Sequence, residues 1–276
     1  MTAPAPGVID FQGDDVARLQ PGDRPVRFRL DTSVSAETTQ FVVESLQMAH
    51  TDLGDSGPLT VHVYGDERRF VAAYTEDFGI SAVEAREELA GGLFAFASEG
   101  GHIWLYLPNY NDAPTGFRRV TLFHEYEHTK QGWQAEVRFQ SEEPRERSFI
   151  PRWLVEGCAA YIAVKAAWER GFVVEAEARA GVLSEALAIA EPLRGFETGG
   201  EADFVDGGEA GAYTVGWLAC ERLALVHGAD SVLHSFWLSM ADTRNWQQSF
   251  IATFDVTPEA FYADFERYRT SLDAVS

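Results

Sequence analysis

Thr121-Leu122-Phe123-His124-Glu125-Tyr126-Glu127-His128-Thr129-Lys130 is the stretch on which the reading of this chain turns. It lies inside a run of helical periodicity from Gly116 to Gln131. Residues four apart on a helix share a face one turn apart, so His124 and His128 can aim both imidazoles at one metal ion. Glu125 stands beside them, within reach of a water on that ion, and can serve as general base in the H-E-x-x-H arrangement. The same residues also spell H-x-x-E-H, which makes Glu127 the base, and spacing alone leaves both open. The bland alternative is a surface helix that carries two histidines by chance.

A catalytic zinc takes three protein ligands and keeps one position for water. Pro151-Arg152-Trp153-Leu154-Val155-Glu156-Gly157-Cys158-Ala159-Ala160-Tyr161 supplies a candidate for the third. Glu156 is a charge in an otherwise apolar helical turn, which is costly unless the charge is paired or bound to metal. The competing reading is an ion pair with Arg152 at i,i+4 spacing. A structural zinc needs a fourth protein ligand, and no fourth His or Cys is spaced to close the site. The expectation is therefore one Zn2+ per chain, with an open coordination position.

Composition bounds the rest. The chain has 276 residues, 46% hydrophobic and 13% aromatic, enough for one large domain or two small lobes with a proper core. Its 43 acidic against 22 basic residues leave a net charge of −21. That argues against nucleic-acid partners and anionic membrane surfaces, and serves solubility. No apolar run reaches the roughly 18 residues of a membrane span. Residues 1–25 lack a basic start followed by an apolar run, so the sequence as written reads as cytoplasmic, or as extracytoplasmic if a leader was removed. Cys158 and Cys220 sit in apolar helical runs and are expected to be two buried free thiols, with one disulfide the alternative.

Along the chain, residues 1–24 read as a loose lead-in rich in Pro, Gly and Asp. Strands are expected at Val26–Leu30, Leu59–Tyr64, Leu93–Ala97 and His102–Leu107, the last two forming a hairpin around Ser98-Glu99-Gly100-Gly101. Helices are expected at Ser35–Leu53, with Ser35 as cap, and at Asp66–Tyr74. After Asn111 the periodicity is helical, over Gly116–Gln131, Arg152–Arg170, Val174–Ala190, Ala210–His227, Ala229–Met240 and Pro258–Leu272. The fold class is α+β: an N-terminal mixed α/β lobe over residues 25–112, with a small sheet, and a mostly helical lobe over residues 113–276.

These two motifs together resemble the gluzincin metallopeptidases, most closely the Peptidase_MA-like group, in which H-E-x-x-H is followed by W-L-x-E-G. The resemblance covers roughly residues 59–240 and implies that both lobes form one zincin-like catalytic domain. It implies zinc ligation by His124, His128 and Glu156, with Glu125 as the base. It also implies that Tyr213, in Ala212-Tyr213-Thr214-Val215-Gly216, donates to the oxyanion of the transition state. The competing reading of Tyr213 is a core tyrosine. His227 and His234 read as helix-face or core histidines.

Three departures bear on these expectations. First, 27 residues separate His128 from Glu156, and the charged loop Glu136–Arg147 within that stretch would cap the cleft. Second, Ala160 stands four positions after Glu156, where a carboxylate orienting a zinc-bound His would be sought. Third, the strand His102–Leu107 lacks the glutamate-bearing motif with which aminopeptidases of this clan hold a free amine, so an endopeptidase is favoured. The expected activity is zinc-dependent hydrolysis of a peptide or amide bond, with a peptide or protein substrate pairing along His102–Leu107 as a sheet edge. The alternatives are a zinc enzyme acting on a non-peptide small molecule and a non-catalytic zinc-containing binding module.

Overall fold

Pro25–Leu30 (β2) places Val26 and Phe28 inward and Arg27 and Arg29 outward, the alternation of a strand with one buried face. It belongs to a five-stranded mixed sheet of order β1-β2-β3-β5-β4, with β1 Asp15–Arg18, β3 Thr60–Tyr64, β4 Ala95–Ser98 and β5 His102–Tyr106. The inner pairs β2–β3 and β3–β5 are parallel, and the outer pairs β1–β2 and β4–β5 are antiparallel. The computed structural model describes residues 15–18, 25–98, 100–136, 150–197 and 208–273. The chain divides into two compact units, Met1–Thr129 and Lys130–Ser276, and the division falls within one continuous helix, Thr115–Ala135 (α5).

In the first unit, Ala36–Leu53 (α1) is capped by the Ser35 side chain, which accepts from the Thr38 N–H. Glu67–Phe78 (α2) is capped in the same way by Asp66, which accepts from Arg69 N–H. Ala82–Ala90 (α3) opens on a full capping box of Ser81 and Glu84, and the short helix Leu107–Asn111 (α4) follows β5. Helices α2 and α3 cover one sheet face with Phe70, Val71, Tyr74, Ala85 and Leu89 packed around Trp104 and Tyr106. On that face the fully buried His62 ring lies flat on Trp104, with centroids 3.8 Å apart. The opposite face presents Phe28, Val61, Val63, Ile103 and Leu105, all fully buried. Asp31 closes the turn after β2. Its carboxylate accepts from Ser33 N (3.1 Å), Asp66 N (2.9 Å) and Arg69 Nη1 (2.7 Å), which ties the ends of β2 and β3 together. Burial pushes this carboxyl up, but those hydrogen bonds and the guanidinium outweigh it and hold it below the usual carboxylate range.

The second unit is helical: the end of α5, then Arg152–Glu169 (α6), Glu175–Ala188 (α7), Gly208–His227 (α8), Phe236–Thr243 (α9), Trp246–Phe254 (α10) and Pro258–Asp273 (α11). Helices α6 and α8 meet at glycine. A Cβ on Gly157 would fall 2.6 Å from the Gly216 Cα, and one on Gly216 would fall 2.5 Å from the Trp153 carbonyl oxygen. This close approach brings Cys158 and Cys220 to a Cα separation of 5.4 Å, and they form a disulfide. The expectation of two free thiols is thus overturned, because a crossing between residues 62 apart in sequence has no local signal. Elsewhere Arg179 on α7 makes a bidentate pair with Glu221 on α8, at 2.8 and 3.0 Å.

Two further expectations change. Strand β1 lies within residues 1–24, read as a loose lead-in, because it pairs antiparallel with β2, from Asp15 opposite Phe28 to Arg18 opposite Pro25. The strand His102–Tyr106 is not a sheet edge, because β3 and β4 flank it. The edge is β4. Tyr106 N donates to Phe94 O at 2.8 Å, and the alternation of an antiparallel ladder then turns the N–H and C=O groups of Ala95 and Ala97 away from β5.

Candidate metal centre

Helix α5 buries Leu122, Phe123 and Tyr126 on one side. Within the first unit, Tyr126 is anchored twice: its hydroxyl donates to Gly54 O at 2.8 Å and lies 2.9 Å from His50 Nδ1. Those bonds tie the centre of the H-E-x-x-H turn to the C-terminal end of α1 and fix the rotation of α5 about its axis. Within the second unit, Gln131 Nε2 donates to Val155 O at 3.2 Å, one residue before Glu156. Lys130, fully buried, donates to Leu233 O at 2.8 Å, in the π-helical turn Ser231–Ser235.

On this framework the ligating atoms of His124, His128 and Glu156 all lie within 4.8 Å of one another. The Nε2 atoms of His124 and His128 are 2.9 Å apart and their rings stand at 87°, so both nitrogens converge on one point. At zinc–nitrogen distances of about 2.0–2.1 Å in a tetrahedron, two ligating nitrogens stand roughly 3.3 Å apart. The imidazoles need to open by only a few tenths of an ångström to receive the ion. Two imidazoles and one carboxylate are also the donor set of an open, catalytic zinc site rather than a closed structural one. Residues and geometry fit the metal.

The two glutamates of the motif differ in access: Glu125 keeps 7% of its surface exposed, and Glu127 keeps none. Tyr213 lies in the second turn of α8, half-buried, one turn before the Gly216 contact with α6. His227 and His234 are not members of the trio. His227 packs edge-on to Phe254, and His234 Nδ1 lies 2.9 Å from Gln134 Nε2. Burial, with the Lys130 ammonium nearby, pushes the His234 imidazole below its ordinary value. Most of the loop Glu136–Arg147, expected to cap a cleft, lies outside the described residues. Sequence reasoning passed over Gln131 and the hydroxyl of Tyr126, whose partners are distant in the chain. The hairpin of β4 with β5 is readable in sequence, but not that β4 is an edge strand.

No family model matches the chain, and no curated protein matches it by sequence. A solved structure similar to it is that of the E323A mutant of an M1 zinc metallopeptidase from Deinococcus radiodurans, with a TM-score of 0.51 and 16% identity. The match covers 91% of this chain and 50% of that one, so this chain spans half the length of that protein. At that identity the likeness is one of fold, a mixed α/β architecture shared with a zinc metallopeptidase. Among the described residues no helix is long and apolar enough to cross a membrane.

Proposed function

We propose that this chain is a zinc-dependent metallopeptidase of the gluzincin type, with His124, His128 and Glu156 as ligands of one zinc ion. The observation that carries the proposal is the convergence of those three side chains within 4.8 Å. When bound, zinc supplies Lewis acidity for a carbonyl oxygen and lowers the pKa of a water. Glu125 takes the proton from the attacking water and returns it to the leaving amine nitrogen. Its residual exposure, against the full burial of Glu127, supports Glu125 as the base. The Tyr213 phenol donates to the oxygen on which charge develops. An extended peptide pairs with the outward backbone groups of Ala95 and Ala97 on β4. The strand His102–Tyr106 carries no carboxylate to hold a free amine, which supports cleavage within a chain rather than at its amino end.

The test is metal analysis followed by a peptide-library digest. One equivalent of zinc in the wild type and none in His124→Ala is the expected result. Glu125→Gln retains the metal and loses turnover. Full activity in Glu125→Gln with activity lost only in Glu127→Gln would transfer the role of base to Glu127.

A further inference from the structure

Phe117 leaves half of its surface in water, 50% exposed, near the start of a helix that buries Leu122, Phe123 and Tyr126 and leaves Trp133 45% exposed near its other end. An aromatic ring left half in water forgoes part of the stabilisation that full burial gives. Its position is specific. Phe117 precedes His124 by seven residues, two helical turns, and so lies on the face of α5 that carries the histidines. Its ring packs against Phe94, centroids 6.3 Å apart and planes tilted by 50°. Phe94 is the residue before β4, and its backbone is held in place. Its carbonyl accepts from Tyr106 N at 2.8 Å, and the preceding carbonyl, of Leu93, accepts from Asn109 Nδ2 at 2.8 Å. A half-exposed ring supported by a second ring is therefore set where the open sheet edge begins and on the histidine face. Both rings, both histidines and β4 belong to the same compact unit.

We infer that Phe94 and Phe117 form an apolar subsite that selects peptides by a bulky aliphatic or aromatic side chain. This rests on the peptidase reading above. Two helical turns advance about 10 Å, and an extended chain advances about 3.4 Å per residue. The selected side chain therefore stands about three residues from the scissile bond. The chemistry is burial of apolar surface against two rings, with the sheet edge holding the peptide backbone.

The subsite is tested by binding as well as by cleavage. Peptides identical except for Phe, Leu or Ser at each position are titrated calorimetrically into zinc-loaded Glu125→Gln protein, and a wild-type digest of the same set marks the scissile bond. The expected result is that Phe or Leu, placed two to four residues from that bond, binds about tenfold more tightly than Ser. The preference disappears in Glu125→Gln/Phe117→Ala and returns in Glu125→Gln/Phe117→Leu. Phe117 lies at the surface, so its truncation leaves the core intact. Cleavage with no apolar preference at those positions, or a preference that survives Phe117→Ala, overturns the subsite and leaves the peptidase reading standing. Failure to bind or cleave any peptide overturns both.

Discussion

The disulfide between Cys158 and Cys220 makes a quantitative claim about stability. It closes a loop of 62 residues between two helices whose backbones already touch at Gly157 and Gly216. In the chain-entropy treatment, a cross-link over that separation restricts the unfolded state by about 4 kcal/mol. At roughly 2–4 °C per kcal/mol for a chain of this size, breaking the bond lowers Tm by about 8–16 °C. The cleanest comparison is between oxidised wild type and wild type reduced in denaturant and refolded under reductant, because the two differ only at the sulfurs. A Cys158→Ala/Cys220→Ala variant, melted alongside, adds the small loss from two truncated buried side chains. Cys158 is 1% exposed and Cys220 0%, so reductant acts on the native protein only as fast as it opens. The reasoning is refuted if the unreduced, denatured chain reacts with two equivalents of a thiol reagent. It is refuted equally if oxidised and reduced proteins melt within about 2 °C of each other.

Other consequences are open to simple measurements. Gly157→Ala puts a methyl group into the backbone of α8 and is expected to cost at least 1–3 kcal/mol of overpacking; an unchanged urea midpoint would show that the helices do not meet there. Burial first, and the neighbouring His102 second, depress the His62 imidazole to about 3. Its folded value lies below the unfolded one of about 6.5, so the unfolded chain binds the extra proton. Stability is therefore complete above pH 6.5 and drains away as pH falls from there toward 3, by about 2 kcal/mol at pH 5. His62→Phe should flatten that acid limb in chemical melts at pH 7.5 and 5.0, and an undiminished slope would place the titration elsewhere. Tyr126→Phe leaves the Gly54 carbonyl and His50 without the hydroxyl between them and should cost about 1–2 kcal/mol, visible in the same melts.

The parts of this fold that could be read from sequence are those determined by local chemistry. Ser35 caps α1 because a hydroxyl there reaches an N–H three residues on, and the alternation of Val26, Phe28 and Leu30 marks β2 without help from the rest of the chain. The histidine pair was legible because helical spacing alone puts His124 beside His128, and Glu156 because a charge in an apolar turn calls for a partner. Helix α3 has no clear periodicity because its apolar residues are few, although Ser81 and Glu84 spell its capping box. Helix α10 is hard to separate in sequence because Trp246–Phe254 is short and follows α9 after only a two-residue turn. Strand order cannot be read from a hairpin alone: β5 pairs with its sequence neighbour β4 and also with β3, where His62 stands opposite Trp104, and that second pairing makes it interior. The Gly157 contact has the same origin. The glycine of Trp153-Leu154-Val155-Glu156-Gly157 looks like a motif letter in sequence, and in space it is the point where another helix passes.

Strand β4 has a consequence for how copies of this protein treat one another. An unpaired strand edge normally invites association, and proteins blunt such edges or keep them short. Among the described residues this edge strand is four residues long and pairs on one side only, and every molecule bears a net charge of −21. Like charge of that size disfavours the approach of a second copy, and so short a strand offers few hydrogen bonds to a growing sheet. A neutral or basic extended peptide meets neither obstacle. Among the described residues nothing pairs with that edge, and the charge that disfavours a second copy does not oppose an extended chain of the kind proposed above.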